Sequence, residues 1–510
     1  MIPRRINFQP LTVSQDMTVS VTNPDVVIHD AIVLTVNDEH ELFEQGTVVI
    51  DDGRLAEVRP SEPDDANSAA GLVIDGTGKL AMPGLINVHT HLELTPFICG
   101  VSELGFLGLW GYSSAIYNRV AAGDFEYLVE AGYELAALNF LKGGVTTINS
   151  MDVRPRLGAE VFGEAGLRAF FGSPITDLFW DIPVDEQFAL ARDFIQDYHR
   201  TYDGRIRATI CPHDDWSCTR ELWERIADFA TEYPDVLVHT HLLELEASNT
   251  MARANGAEDS LDLLDDVGLL DDRLIAAHFR MASDEDVRRT SKADASVAHC
   301  PSVFCYWNPD PGEQWTPVPK LRAAGVDVGL GIDDHYWHDS YNMFGEARQT
   351  RLAANLELGT GQFTSKELVR MLTIEGARTL NVGDEIGSLE AGKRADLIIL
   401  DLDTPKFAPV NNVFAHVVNQ TNPSDVGTVF VDGNVVMLDG DVKTLHPQEV
   451  IDRVEDAMER FEEDTEWTFN IDGIETPSTL SVLRDVPKRG PLSMFARVLI
   501  QSAKEKLSDN

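Results

Sequence analysis

The chain has few lysines, few cysteines and no long apolar run. Of its 41 basic residues only 11 are Lys, against 84 acidic ones, which leaves a net charge of −43. Nucleic acid is therefore excluded as a partner, because phosphate recognition needs clusters of Lys and Arg. The acids are dispersed and do not gather into a tail, so they describe a surface and not an interaction segment. A dispersed acidic, Lys-poor surface is of haloarchaeal type, where molar salt screens self-repulsion within a few Å. Five scattered cysteines (Cys99, Cys211, Cys218, Cys300, Cys305) form neither a disulfide framework nor a C-x-x-C pair. A reducing cytoplasm is expected. Runs such as 396-DLIIL-400 are too short to span a bilayer, so no membrane partner is expected. The N-terminal MIPRRINFQP lacks an apolar core, and no secretory leader is expected.

With 510 residues, 43% of them hydrophobic, the chain can build one large domain and a smaller one. From 85 to about 380, eight short apolar runs alternate with helical patterns: LINV (85–88), VTTIN (145–149), LRAFFG (167–172), RIRATIC (205–211), VLVHTH (236–241), LIAAH (274–278), ASVAH (295–299) and VDVGLGI (326–332). The intervening helices include 125–144, 219–233 and 364–380. Eight βα units predict an α/β fold, a (β/α)8 TIM-like barrel with its site at the C-terminal ends of the strands. A doubly wound sheet is the alternative, but it calls for a Gly-rich phosphate loop after the first strand, and none is present. Residues 18–84 and 385–445 both read as short strands broken by DDG and DGTG turns. Together they predict one small β-sandwich made from both ends of the chain. The expected division is an N-terminal extension (1–17), the composite sandwich (18–84 plus 385–445), the barrel (85–384) and a C-terminal helical extension (446–510). The extension packs on its own domain or makes a homodimer contact. The long Gly- and aromatic-rich loop 101–120, with Trp110, is a candidate lid.

Nine of the 14 histidines sit at or just after the predicted barrel strands: His89, His91, His213, His239, His241, His278, His299, His335 and His338. In 82-MPGLINVHTHLEL-94, two imidazoles one residue apart share a strand face, because side chains alternate with period two. His239 and His241 repeat the pattern, with Glu244 three residues on, and Asp333 closes the eighth strand. Three imidazoles and a carboxylate suit Zn2+, and Fe2+ or Mn2+ as well, at about 2.0–2.2 Å for zinc. Water at an open position of such a site falls to a pKa of about 7.

The pieces PGLINVHTHLEL (83–94), GGVTTINSMD (143–152), CPHDDWSC (211–218), HTHLLE (239–244), AAHFRM (276–281), AHCPS (298–302), GLGIDD (329–334) and GSLEAGKRADLIILD (387–401) resemble, in order and spacing, the amidohydrolase superfamily. Within it the chain is similar to the single-metal branch of adenosine-type deaminases, guanine deaminase and triazine chlorohydrolases. The resemblance implies that His89, His91, His241 and Asp333 hold one divalent metal. Glu244 shuttles a proton to a ring nitrogen, His278 orients the attacking hydroxide, and Asp333 also serves as general base. It places His213 and His299 against a small heterocyclic substrate, and Trp110 and His335 are further candidates, with His338 and Trp337. His239 rivals His241, and Asp334 rivals Asp333. Strand four lacks the lysine that bridges two metals in other members, which favours a mononuclear site. The expected reaction is hydrolytic deamination of a purine, nucleoside, pterin, pyrimidine or triazine. The alternative is loss of chloride or alkylamine from a triazine-like ring, or opening of a cyclic amide. A non-catalytic scaffold would be expected to have lost ligands that this chain keeps. After strand eight the DDHYWHDS stretch departs from the small-residue pattern of the purine deaminases, so the ring stays open.

Overall fold

The computed structural model describes residues 24–100, 115–178, 182–306, 315–334, 341–471 and 473–475, with a few positions between 496 and 504. Trp110, His335, Trp337 and His338 lie outside the described residues.

Five strands open the chain: β1 (Val26–Leu34), β2 (Leu42–Asp51), β3 (Arg54–Pro60), β4 (Leu72–Asp75) and β5 (Lys79–Pro83). The next ten form the barrel: β6 (Leu85–His91), β7 (Val145–Met151), β8 (Arg168–Gly172), β9 (Pro174–Ile175), β10 (Ile206–Pro212), β11 (Leu237–Leu242), β12 (Leu274–His278), β13 (Ser296–His299), β14 (Val328–Leu330) and β15 (Asp333–Asp334). Four more return to the first sheet: β16 (Leu397–Asp401), β17 (Val426–Val431), β18 (Asn434–Leu438) and β19 (Asp441–Val442).

The barrel strands pair in parallel in the order β14-β13-β12-β11-β10-β8-β7-β6-β15. The two ends of that path are consecutive in the chain. β14 bonds to β13, and β15, two residues later, bonds to β6. One split eighth strand thus closes the ring, which is a TIM-like barrel. All eight predicted runs are strands of this barrel.

The first and last parts of the chain form one sheet, ordered β19-β18-β17-β16-β5-β1-β2-β3 with β4 beside β1. Its alternation explains its place. Leu80, Met82, Ile398, Leu400, Val429 and Val431 join the barrel's core, while Ala81, Leu397, Ile399 and Phe430 turn into the sheet's own core. Period two thus buries both faces, one against the barrel and one inside the curled sheet. The chain passes from β5 to β6 through Gly84, where any Cβ would collide with Thr146. Only glycine lets the sheet run this closely into the barrel. Beneath the barrel, Arg168 is 1% exposed and reaches across to Asp396, with Nε–Oδ2 at 3.0 Å and Nη2–Oδ1 at 3.2 Å.

Two readings differ from the structure. The predicted helix 364–380 is two helices, Ser365–Leu372 and Ile374–Thr379, broken at Thr373 (φ −132°, ψ −97°). The break brings Gly376 against Gly329 and Ile86 beneath the barrel. In the C-terminal extension the helix Pro447–Asp464 is followed by a hairpin, Thr468–Asn470 with Gly473–Glu475. An aromatic cluster holds this region on the barrel. Phe97 lies 5.1 Å from Phe461, 5.9 Å from Trp467 and 5.4 Å from Phe469 between ring centroids. The second helical pattern of the tail falls largely outside the described residues.

Candidate metal centre

His89 and His91 end β6, His241 lies near the end of β11, His278 ends β12 and Asp333 begins β15. Parallel pairing brings all five to the same end of the barrel. Asp333 (φ 66°) and His278 (φ 73°) are held in the left-handed region that non-glycine residues avoid. Such strain is maintained by the surroundings and is characteristic of functional positions. Thr90 Oγ1 donates to the Asp333 carbonyl at 2.9 Å, and Thr316 Oγ1 donates to the His278 carbonyl at 2.6 Å.

The imidazole tautomers follow from their partners. His91 Nδ1 is 2.6 Å from the Met151 carbonyl oxygen, and His241 Nδ1 is 2.5 Å from that of His213. A carbonyl only accepts, so both rings carry a proton on Nδ1. Their Nε2 atoms face each other at 3.2 Å. Two lone pairs that close need a positive charge between them. The third corner is Asp333 Oδ1, 3.2 Å from His89 Nε2 and 3.5 Å from His91 Nε2. Four ligands about 2.05 Å from a tetrahedral ion stand about 3.3 Å apart, so these separations are the edges of such a site. His89 Nε2 has no hydrogen-bond partner. The residues present therefore fit a divalent cation.

His239 stands one layer deeper. Its Nε2 is 2.8 Å from His89 Nδ1, so it backs His89 from behind. Period two could not separate His239 from His241; depth in the barrel does. His278 Nε2 is 3.9 Å from Asp333 Oδ2 and 4.0 Å from Glu244 Oε1. Asp333 thus turns one oxygen to His89 and His91 and the other to His278. Asp334 lies close to His91 and Asp333, and its Oδ1 accepts from Tyr117 Oη at 3.2 Å.

Burial sets the charges here. It lowers the pKa of His89, and of His241 and His239 far below the usual imidazole range; it takes His278 down to about 3. Burial works against ionised Asp333 too, but His278, His89 and His91 outweigh it and hold the carboxylate well below its ordinary range. Glu244 has no such compensation. Burial, then the charges of Asp333 and Asp214, push it well above the normal carboxyl range. The two carboxyl groups on either side of His278 are thus shifted in opposite directions, Asp333 down and Glu244 up.

Residues without a role in the sequence reading complete the site. Asp214 is buried and holds His213 Nδ1; its Oδ1 accepts from the Trp216 amide at 2.9 Å. Asp152 accepts from the amide of Leu92, next to His91, at 2.9 Å. Both acids follow barrel strands closely, which is the one signal the sequence offers for them. His213 sits at the rim, its ring 5.1 Å from His241 and 6.3 Å from Trp216. Leu178, Trp216 and Met251 form an apolar wall beside it, with Tyr117 and Leu245 packed on. His299 is not brought into the ligand group. It lines a cavity of about 340 Å³ with Trp315, Thr316 and Phe363.

The amidohydrolase family profile matches residues 80–436. The 5'-deoxyadenosine deaminase of Methanothermobacter thermautotrophicus is 32% identical over 418 residues, covering 81% of this chain and 94% of that protein. The 5-methylthioadenosine/S-adenosylhomocysteine deaminase of Moorella thermoacetica is 31% identical over 439 residues, 85% of this chain and 99% of the other. Among solved structures, an adenosine deaminase from Xanthomonas campestris with bound zinc superposes with a TM-score of 0.79 at 26% identity, covering 86% of this chain and 99% of that one. Atrazine chlorohydrolase from Arthrobacter aurescens TC1, complexed with zinc, shares the fold with a TM-score of 0.77 at 22% identity, covering 85% and 100%.

Proposed function

This chain belongs to the amidohydrolase family, a metal-dependent hydrolase acting on carbon–nitrogen bonds, and from that premise we propose that it deaminates an adenosine-type nucleoside at the exocyclic amino group. His89, His91, His241 and Asp333 hold the ion, with zinc the first choice. A divalent ion there supplies Lewis acidity and ionises water near neutral pH. The observation that carries the reading is geometric: His278 Nε2 stands 3.9 Å from Asp333 Oδ2 and 4.0 Å from Glu244 Oε1, so two carboxyl groups flank one imidazole. Asp333 Oδ2, turned away from His89 and His91, takes the proton of the attacking water. His278, neutral through burial, orients that water by hydrogen bonding. Glu244 gives a proton to a ring nitrogen, which leaves the amino-bearing carbon electrophilic; the proton taken by Asp333 then passes to the amino group, which departs as ammonia, and Glu244 regains a proton from the new hydroxyl as it becomes a carbonyl. A leaving amine needs a proton more than a leaving chloride does, so two proton-carrying carboxyl groups beside His278 favour deamination. His213, fixed by Asp214, lies against the ring.

The same reading sets the enzyme in a cytoplasm of high salt, which its net charge of −43 suits. No helix among the described residues is long and apolar enough to cross a membrane. The test is ammonia release from adenosine, 5'-deoxyadenosine, guanine, cytosine and an aminotriazine by zinc-loaded protein in about molar KCl. Release from the adenosine compounds bears out the proposal. Release of chloride from a chlorotriazine, with none of ammonia from any amine, overturns it.

A further inference from the structure

We infer that the substrate pocket takes an uncharged or cationic nucleoside and rejects one that carries a carboxylate or phosphate tail; the inference rests on the deaminase reading above. It comes from which charged side chains the catalytic end of the barrel contains. The segments that follow the barrel strands are 92–125, 152–154, 173–183, 213–219, 243–259, 279–283, 300–317 and 333–342. They hold seventeen Asp and Glu, no Lys and four Arg. The stretches among them outside the described residues, 101–114, 179–181, 307–314 and 335–340, have no Lys or Arg in their sequence.

The four arginines are committed elsewhere. Arg119 donates to Asp124 at 2.9 Å and lies 4.1 Å over the Phe125 ring. Arg154 donates from Nε to the Val120 carbonyl at 2.9 Å. Arg253 is exposed on the helix Ala247–Ala254 and donates to Thr250. Arg280 comes nearest the centre, but it is 3% exposed, bonded to the Glu244 carbonyl at 3.2 Å and packed 4.1 Å over Phe304. Among the described residues of these segments, an anionic tail therefore meets no unengaged guanidinium or ammonium. It meets the buried carboxyl of Asp334, beside His91 and Asp333, instead, and must shed its water without a partner. The scarcity is local. At the other ends of the strands Arg168, Arg207 and Arg322 each hold a carboxylate in a bidentate or forked pair. Low lysine content alone does not explain a catalytic face whose few arginines are all bound.

The experiment compares kcat/KM of the metal-loaded enzyme for 5'-deoxyadenosine and 5'-methylthioadenosine with that for adenosine 5'-monophosphate and S-adenosylhomocysteine. The methyl ester of S-adenosylhomocysteine, equal in bulk but without the carboxylate, separates charge from size. The expected result is a loss of about 100-fold for the phosphate tail and for the zwitterionic, carboxylate-bearing tail alike, about 2.7 kcal/mol of transition-state binding, recovered by the cationic ester. S-adenosylhomocysteine or the monophosphate within tenfold of 5'-methylthioadenosine would overturn the inference and leave deamination standing. An ester as poor as the free acid overturns it too, by assigning the loss to size. No ammonia from any of the five removes the deaminase reading and this inference with it.

Discussion

Beneath the barrel, Asp396 and Asp432 are buried beside Arg168, and Glu375 receives both Arg322 and Arg370. At the opposite ends of the same strands, Asp333, Asp334 and Glu244 are also buried and face histidines, of which His89, His241 and His278 are disfavoured as cations by burial, while at His91 burial is outweighed by the acids around it, which raise its pKa. One end of the barrel neutralises its acids with guanidinium groups, fixing the barrel on the composite sheet. The other end leaves them for an ion and for a proton. Burying charge is costly at either end. What differs is whether the compensation belongs to the chain or must be brought to it.

The largest effect expected is from breaking the uncompensated end. His241→Ala removes one corner of the tetrahedron, and metal content and ammonia release should fall together, turnover by about 10^3-fold or more. Glu244→Gln should keep the ion and lose about 10^2–10^4-fold in kcat, because a proton carrier is gone and no ligand is. Metal analysis beside the rate separates the two, and an empty site in this variant would make Glu244 a ligand. Arg168→Met attacks the compensated end. It strands Asp396, while Asp432 keeps Arg394, and should cost about 3–5 kcal/mol of stability, read by denaturant unfolding in high salt, with kcat per folded molecule unchanged. A loss of kcat without a loss of stability would show that the two ends are not separable. Smallest is Asp214→Asn, which loosens His213 without touching a ligand. A rise in KM of about 10-fold, with metal content intact, is expected from the loss of an orienting partner.

How far each end could be read from sequence differs in the same way. His89 and His91 were legible because strand periodicity alone puts them on one face. His241 needed the spacing to Glu244, and its separation from His239 became plain only with the depth of each ring in the barrel. The eight strands and the returning sheet were legible from short apolar runs and DDG or DGTG turns; Gly53 and Gly78 in those turns adopt φ of 74°. The partners of Arg168 were not, because 228 residues separate it from Asp396 and no local pattern links them. Asp152 and Asp214 were likewise hidden, since an acid after a strand reads as a solvated loop until the packing shows it buried. The break at Thr373 also depends on packing, here the approach of two glycines beneath the barrel. The tail's hairpin was masked by the charged helix that precedes it.

X-ray absorption at the zinc edge of the zinc-loaded protein tests the central claim most directly. The account predicts one ion per chain with only nitrogen and oxygen neighbours near about 2.0–2.1 Å, about three of them imidazoles, in wild type and in Glu244→Gln alike. A sulfur neighbour at about 2.3 Å, or no ion retained by the folded protein, would contradict it.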